Sequence, residues 1–370
     1  MPDGELPQKL LMLSAIGICI ELVLFKFLPD IGTATIQHST SSLADFEAYR
    51  SQYMVPGSVH HSRFLGNYLL YGLALLLERV HHFDDIRLHP LRLAAGILTP
   101  LYMVLGALPV LRHPAAFAWR EFLVPYGLVV IIGLYTFYPG DMSSLAFLSI
   151  GLYLLLRERL AWALVAMLLT GLFRESAFHV VAWVAVWSLA AHSSSLPKRL
   201  AWVAVYAVAF VTEYVLVRHY FPGPVSSAPG GFILTPAAAL LGPGLLSLTT
   251  LCSLSLAALF PAYYLVVSRN TPGPDWRRRF FVVNSWLFPA WIVFYRLLNG
   301  NISEFRLLLP ALLPCVYGLS YAAATRGRSG ALPAVSRPQR ADHQQGSEAL
   351  GQQQGKGGPR SGESCNQKRQ

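Results

Sequence analysis

Two kinds of side chain stand where chemistry could be done in this sequence: carboxylates in a polar stretch after the first apolar block, and arginines at the edges of later blocks. The stretch "SSLADFEAYRSQYMVPGSVHHSRFLGN" carries Asp45 and Glu47. A carboxylate held near a substrate hydroxyl can act as a general base. The same stretch has a plainer use. Phe46, Tyr49, Arg50 and Tyr53 recur at i, i+3, i+4 and i+7, the spacing of one helix face that packs at an interface. The arginines are Arg174, Arg218, Arg296 and Arg306. Their planar guanidinium fork suits a phosphate, which it grips through paired hydrogen bonds. Arginines that only snorkel to a membrane interface stand at the same kind of place.

Acids accompany these arginines. In "YPGDMSSLAF", Pro139 and Gly140 make a tight turn and Asp141 opens the next helix. An acid there complements the helix dipole, and capping and substrate contact both remain open to it. In "FRES", Arg174 and Glu175 are neighbours in sequence, and neighbours on a helix do not face each other. They either snorkel separately or line a cavity. Glu213, in "AFVTEYVLVRHYF", lies deeper in an apolar run, where ionisable residues face the bundle and mark a site. Arg218 follows about one turn later and could neutralise it. In "GNISEFRLLLPALLP", Glu304 and Arg306 precede an apolar run, and Arg296 closes the run before. Together these residues form a candidate site for an anionic headgroup, such as the phosphate of a lipid-linked substrate.

The elements that must position them are membrane helices. The sequence is 54% hydrophobic and 13% charged, about half the charge of a soluble chain, with mean hydropathy +0.44. Apolar runs approach the ~20 residues that cross a bilayer. The fold class expected is all-α, a polytopic integral membrane bundle of about ten or eleven transmembrane helices over residues 1–323. Candidate spans are Leu10–Leu28, Phe64–Val80, Leu91–Leu111, Phe122–Tyr138, Met142–Leu156, Leu160–Phe173, Ala177–Ala191, Leu200–Val217, Leu245–Val267, Phe280–Leu298 and Phe305–Ala323. The first block has no A-x-A-like cleavage site and is read as a retained helix. Residues 324–370 are Gly, Gln, Ser, Arg and Pro with little to bury, a disordered basic tail. The tail carries eight Lys/Arg against three acids and is expected in the cytoplasm. Counting back, "RHPAAFAWRE", Arg157–Arg159, "HSSSLPKRL" and Arg277–Arg279 fall inside, and "YPGD", "FRES" and "NGNISEFR" fall outside. Eleven spans put the N-terminus outside, which Lys9 weakly opposes. If Phe64–Val80 lies in the outer interface, ten spans remain and residues 29–90 form one large outer loop. The net charge of +10 reports orientation and points to no nucleic acid. The four cysteines are scattered without metal-ligand spacing, so no disulfide framework, metal site or cofactor is called for.

The order of these features resembles the GT-C superfamily of membrane glycosyltransferases. The resemblance covers roughly residues 10–190: a first span, a large outer loop with acids, and an outer Asp opening "DMSSLAFLSIGLYLLLRERLAWALVAMLLTGLFRESAFHVVAWVAVW". It implies sugar transfer from a polyprenyl-phosphate donor to an envelope glycan or lipid on the outer face of a bacterial inner membrane. Asp45 or Glu47 would be the base, followed by Asp141 and the Arg174–Glu175 turn. In place of the paired acids of the strongest examples stands the spaced "DFE". The partners implied are the lipid-linked donor and membrane lipids. Two other readings stand beside it. One is an exopolysaccharide polymerase-type protein acting on lipid-linked oligosaccharides. The other is a transporter, for which the Gly242–Gly244 region could be a broken helix, though no matching repeat is found in the first half.

Overall fold

The computed structural model describes residues 9–17, 42–56, 64–80, 90–114, 116–134, 140–191, 194–222, 248–269, 275–299 and 309–331. Among them all regular structure is helical. Residues 9–17 form α1, followed by α2 (Ser42–Tyr53), α3 (Phe64–Val80), α4 (Pro90–Arg112), α5 (Trp119–Leu134) and α6 (Asp141–Leu156). Then come α7 (Leu160–Phe173), a single 3-10 turn (Glu175–Ala177), α8 (Phe178–Ala190) and α9 (Leu196–Tyr220). The last are α10 (Leu248–Arg269), α11 (Trp276–Asn299) and α12 (Leu309–Ala331). By length and apolarity, Leu93–Arg112 and Leu196–Tyr220 suffice to cross a membrane, and α6, α7 and α8 are shorter apolar helices. The tail from residue 332, the Gly242–Gly244 region, Glu304 and Arg306 lie outside the described residues. The last helix runs on to Ala331, past the expected end of its apolar run at Ala323.

The core is built on α6. Thirteen of its sixteen residues are buried, as its apolarity on all sides requires. It packs on α4, α7 and α8. Ser149 donates to the Gly106 carbonyl at 2.7 Å, and the Tyr317 hydroxyl donates to the Ser149 carbonyl at 2.9 Å, tying α6 to α4 and α12. Phe117, Phe122, Tyr126 and Tyr317 pack edge-to-face and stacked around that junction. Next in the chain, α7 returns antiparallel to α6 after the Arg157–Arg159 turn, which Glu158 makes at φ 56°.

One helix is inside out. The buried residues of α9 are Arg199, Tyr206 and Glu213, a seam of polar side chains seven residues apart. Its exposed face is Val205, Val208, Val211, Val215 and Leu216, between 45% and 65% exposed. Each polar member has a task or a seat on its neighbours. Arg199 donates to the Ser188 carbonyl at 2.6 Å and to the Ala191 carbonyl, closing the end of α8. Tyr206 donates to the Leu160 carbonyl at 2.7 Å. Glu213 lies against Gly171 of α7, where its carboxylate fills the space a Cβ would need.

A second, smaller core joins α2, α3 and the first half of α4. Phe46, Tyr49 and Tyr53 of α2 are buried with Leu70, Ala74, Leu91 and Ala94. Phe46 meets the Tyr71 ring edge-on at 5.6 Å, and Asn67 donates to the Tyr53 carbonyl at 3.0 Å. This is the packing face the spacing in "ADFEAYRSQY" suggests, except that Arg50 is exposed. Gly66 and Leu70 of α3 share a small cleft with Thr99 and Tyr102 of α4 and with Gly140 and Met142 at the start of α6. The start of α3 is therefore level with the start of α6, and from there α3 runs alongside the first half of α4.

Candidate functional site

The site is assembled where α6 begins and α7 ends. Gly140 precedes α6 with φ +92°, a conformation in which a side chain is strained. A Cβ there would also stand 2.7 Å from the Phe173 carbonyl oxygen, so the turn is pressed against the end of α7. The Gly140 carbonyl accepts from the Ser144 amide at 2.9 Å and the Ser143 hydroxyl at 3.0 Å. Asp141 is thereby set as the first helical residue, 5% exposed. Arg174, 6% exposed, is the extended residue that stops α7, and its amide still donates to the Thr170 carbonyl at 2.8 Å.

These two charges meet. Arg174 donates from Nη1 to Asp141 Oδ1 at 2.5 Å. Each stands at the helix end whose dipole favours it, an acid at an N-terminus and a cation at a C-terminus. Among the described residues Asp141 Oδ2 is buried with no hydrogen-bond partner. The pair lines a small cleft with Ser144, Leu145, Leu309 and Pro310. Leu309 is the first residue of α12, immediately after the segment that carries Glu304 and Arg306. A carboxylate with one oxygen neutralised and one unpartnered can accept a hydrogen bond from a hydroxyl. A guanidinium carries five N–H donors and can bond a carboxylate and an arriving phosphate at once.

Around the pair the walls are polar, then aromatic. The Ser144 and Ser176 hydroxyls are 2.6 Å apart, joining α6 to the 3-10 turn. His179 Nδ1 lies 2.9 Å from the Ser176 carbonyl, and the His179 ring sits 4.2 Å from Phe178 and 5.1 Å from Trp291. Phe173 stands between Phe147 at 5.5 Å and Tyr102 at 6.1 Å. Among the described residues no three His, Cys, Asp or Glu side chains converge as metal ligands would.

Of the residues singled out from the sequence, the structure joins Asp141 with Arg174. Glu175 opens the 3-10 turn beside them. Glu213 is buried on α9 against Gly171, and its two carboxylate oxygens have no hydrogen-bond partner among the described residues. Arg218 stacks its guanidinium 5.3 Å from the Tyr214 ring. Asp45 and Glu47 lie on α2, with Glu47 exposed. Arg296 lies in the last turns of α11. Arg174 is paired with Asp141, and Arg306 and the Arg296 side chain, which the expected group of phosphate-gripping arginines includes, lie outside what the structure describes. Ser144, Ser176 and His179 were not singled out from the sequence; the register of the α6–α7 hairpin is the signal that reaches them. No known protein family, curated protein or solved structure matches the chain.

Proposed function

We propose that the chain is a polytopic membrane glycosyltransferase of the GT-C kind. It moves a sugar from a polyprenyl-phosphate donor to an envelope glycan or lipid on the outer face of a bacterial inner membrane. The observation that carries the reading is the buried Asp141–Arg174 pair. A buried ion pair is weak as a stabilising device, because desolvation offsets its attraction. One placed at a cleft, with a carboxylate oxygen left over, suits a site that receives a polar, charged substrate. The inside-out α9 supports immersion in lipid, since a polar seam facing a bundle and a valine face outside is the arrangement a bilayer favours. The shared level of the α3 and α6 starts supports α3 lying on the outer side, with ten spans and α2 nearby.

In this mechanism the acceptor hydroxyl loses its proton to a carboxylate as the sugar's anomeric carbon bonds to the acceptor oxygen and the lipid phosphate leaves. Asp45 or Glu47 on α2 supplies that base. Arg174 faces the charge that develops on the departing phosphate, and Asp141 holds Arg174 in place. Arg218, Arg296 and Arg306 add positive charge along the same side.

The test is transfer from a polyprenyl-phosphate sugar by purified, folded Asp45→Asn, Glu47→Gln and Asp141→Asn variants. Loss of the base is expected to lower turnover by about a hundredfold or more. If all three stay within about tenfold of the parent, the assignment fails. Placement is tested separately. Cysteines introduced at Ser51 and Ser195, both at exposed positions, are labelled on intact cells with an impermeant maleimide. Labelling at 51 alone is expected, and protection at 51 ends the role of α2.

A further inference from the structure

At the other end of the α6–α7 hairpin lies an open cleft with room of about 300 Å³, lined by Phe117, Leu156, Arg157, Arg277, Tyr321 and Thr325. That volume lies at the lower end of small-molecule sites. It is far from Asp141: the fifteen steps along α6 from Asp141 to Leu156 span about 22 Å at 1.5 Å each.

The wall has two chemistries. One is cationic and held in position. Arg277 Nε donates to the Leu156 carbonyl at 3.2 Å, its guanidinium lies 5.1 Å from the Trp276 ring, and Nη1 is 3.4 Å from Asp275 Oδ2. The Tyr321 hydroxyl donates to the same Asp275 oxygen, so the local carboxylate is divided between two partners. Arg157 is exposed beside Tyr153 and makes no ion pair among the described residues. Tyr153 in turn is held by His113, whose Nδ1 lies 2.8 Å from its hydroxyl. The other chemistry is apolar: Phe117 and Leu156, with Ala116 and Ala324. Two arginines brought from different helix ends over an apolar floor fit an amphiphile whose head is an anion.

We propose that this cleft binds the phosphate of an anionic lipid headgroup, with Arg157 and Arg277 on the phosphate and Phe117 and Leu156 against its glycerol or acyl part. A soluble phosphate ester would offer the arginines the same chemistry but leave the apolar floor unused. Basic pockets between span ends on the cytoplasmic side are where anionic headgroups are gathered. The proposal rests on the membrane placement and not on the transfer reaction, so either can fail without the other.

The test titrates the full chain in detergent with dioctanoyl phosphatidylglycerol, dioctanoyl phosphatidylcholine or inorganic phosphate, followed by native mass spectrometry. Phosphatidylglycerol is expected to bind in preference to phosphatidylcholine. Arg157→Gln is expected to weaken it about tenfold, the effect of one lost charge-assisted hydrogen bond. Ala324→Phe, which fills the cleft without removing charge, is expected to weaken it as well. Lys198→Gln removes an exposed cation outside the cleft wall and is expected to leave binding unchanged. Equal loss in Lys198→Gln and Arg157→Gln would mean diffuse attraction to a basic surface and would overturn the site. Equal binding by parent, Arg157→Gln and Ala324→Phe would do the same. Displacement of phosphatidylglycerol by inorganic phosphate at equal concentration would overturn the lipid as the source of the phosphate.

Discussion

Among the described residues two aspartate–arginine pairs stand at opposite ends of the helices around α6, and they are opposites in setting. Asp141–Arg174 is closed at 2.5 Å with both side chains 4–6% exposed. Asp275–Arg277 is open at 3.4 Å with both about a third exposed. In the first, water has been removed from both charges, so each depends on the other. In the second, solvent already screens both, and Arg277 has the Leu156 carbonyl and the Trp276 ring as further partners. The same two residue types therefore have different tasks: one pair is a dry charge couple fixed by helix ends, the other a solvent-screened pair at the mouth of a cleft.

The comparison is broken most severely at the dry pair. Arg174→Met leaves Asp141 buried and uncompensated, and is expected to cost about 3–5 kcal/mol in the unfolding of the purified chain. A combined Asp141→Leu, Arg174→Met variant is expected to recover most of that loss, since no charge is then stranded. A loss near zero in the single variant would show that water reaches the pair. A smaller effect is expected from Gly140→Ala, which combines a left-handed backbone with a Cβ pressed on the Phe173 carbonyl. Its cost is about 1–3 kcal/mol, read by the same unfolding measurement. Smallest is Asp275→Asn at the wet pair, expected to change stability by about 0–1 kcal/mol and to matter less as salt is raised. If Asp275→Asn rivalled Arg174→Met, the two ends would not differ as described.

Much of the helical frame is legible in the sequence. Phe64–Val80 and Leu160–Phe173 coincide with the apolar runs read there, because charged or turn residues close each run abruptly at both ends. Elsewhere the helices outrun the apolar segments. Leu196–Tyr220 begins before Leu200 because Lys198 and Arg199 prolong a helix as readily as leucine does. In the other direction, α8 starts at Phe178 because Glu175–Ala177 takes a 3-10 turn instead. The site was less legible. Asp141 and Arg174 were each visible as a charge at the edge of an apolar run, but their pairing depends on hairpin register. They stand nearly equidistant in sequence from the Glu158 turn, so antiparallel return brings them level. The inward direction of Glu213 was readable from its depth, whereas its seat on Gly171 required the packing of α7 against α9.

Under the membrane placement proposed above, the shortness of the central helices has a consequence for the surrounding lipid. At 1.5 Å per residue, α6, α7 and α8 measure about 24, 21 and 20 Å, against a hydrocarbon layer of about 30 Å. On that proposal a bilayer beside them would become thinner or draw its headgroups inward, at a cost of fractions of a kcal/mol per Å. The neighbouring α9, with 25 residues, imposes no such thinning. On that proposal the mismatch is one-sided, a dimple in the lipid beside α7, since α6 is covered by its neighbours. If the proposed reading holds, the phosphate of a long-chain lipid there would come down to the depth of Arg174 without leaving its own leaflet.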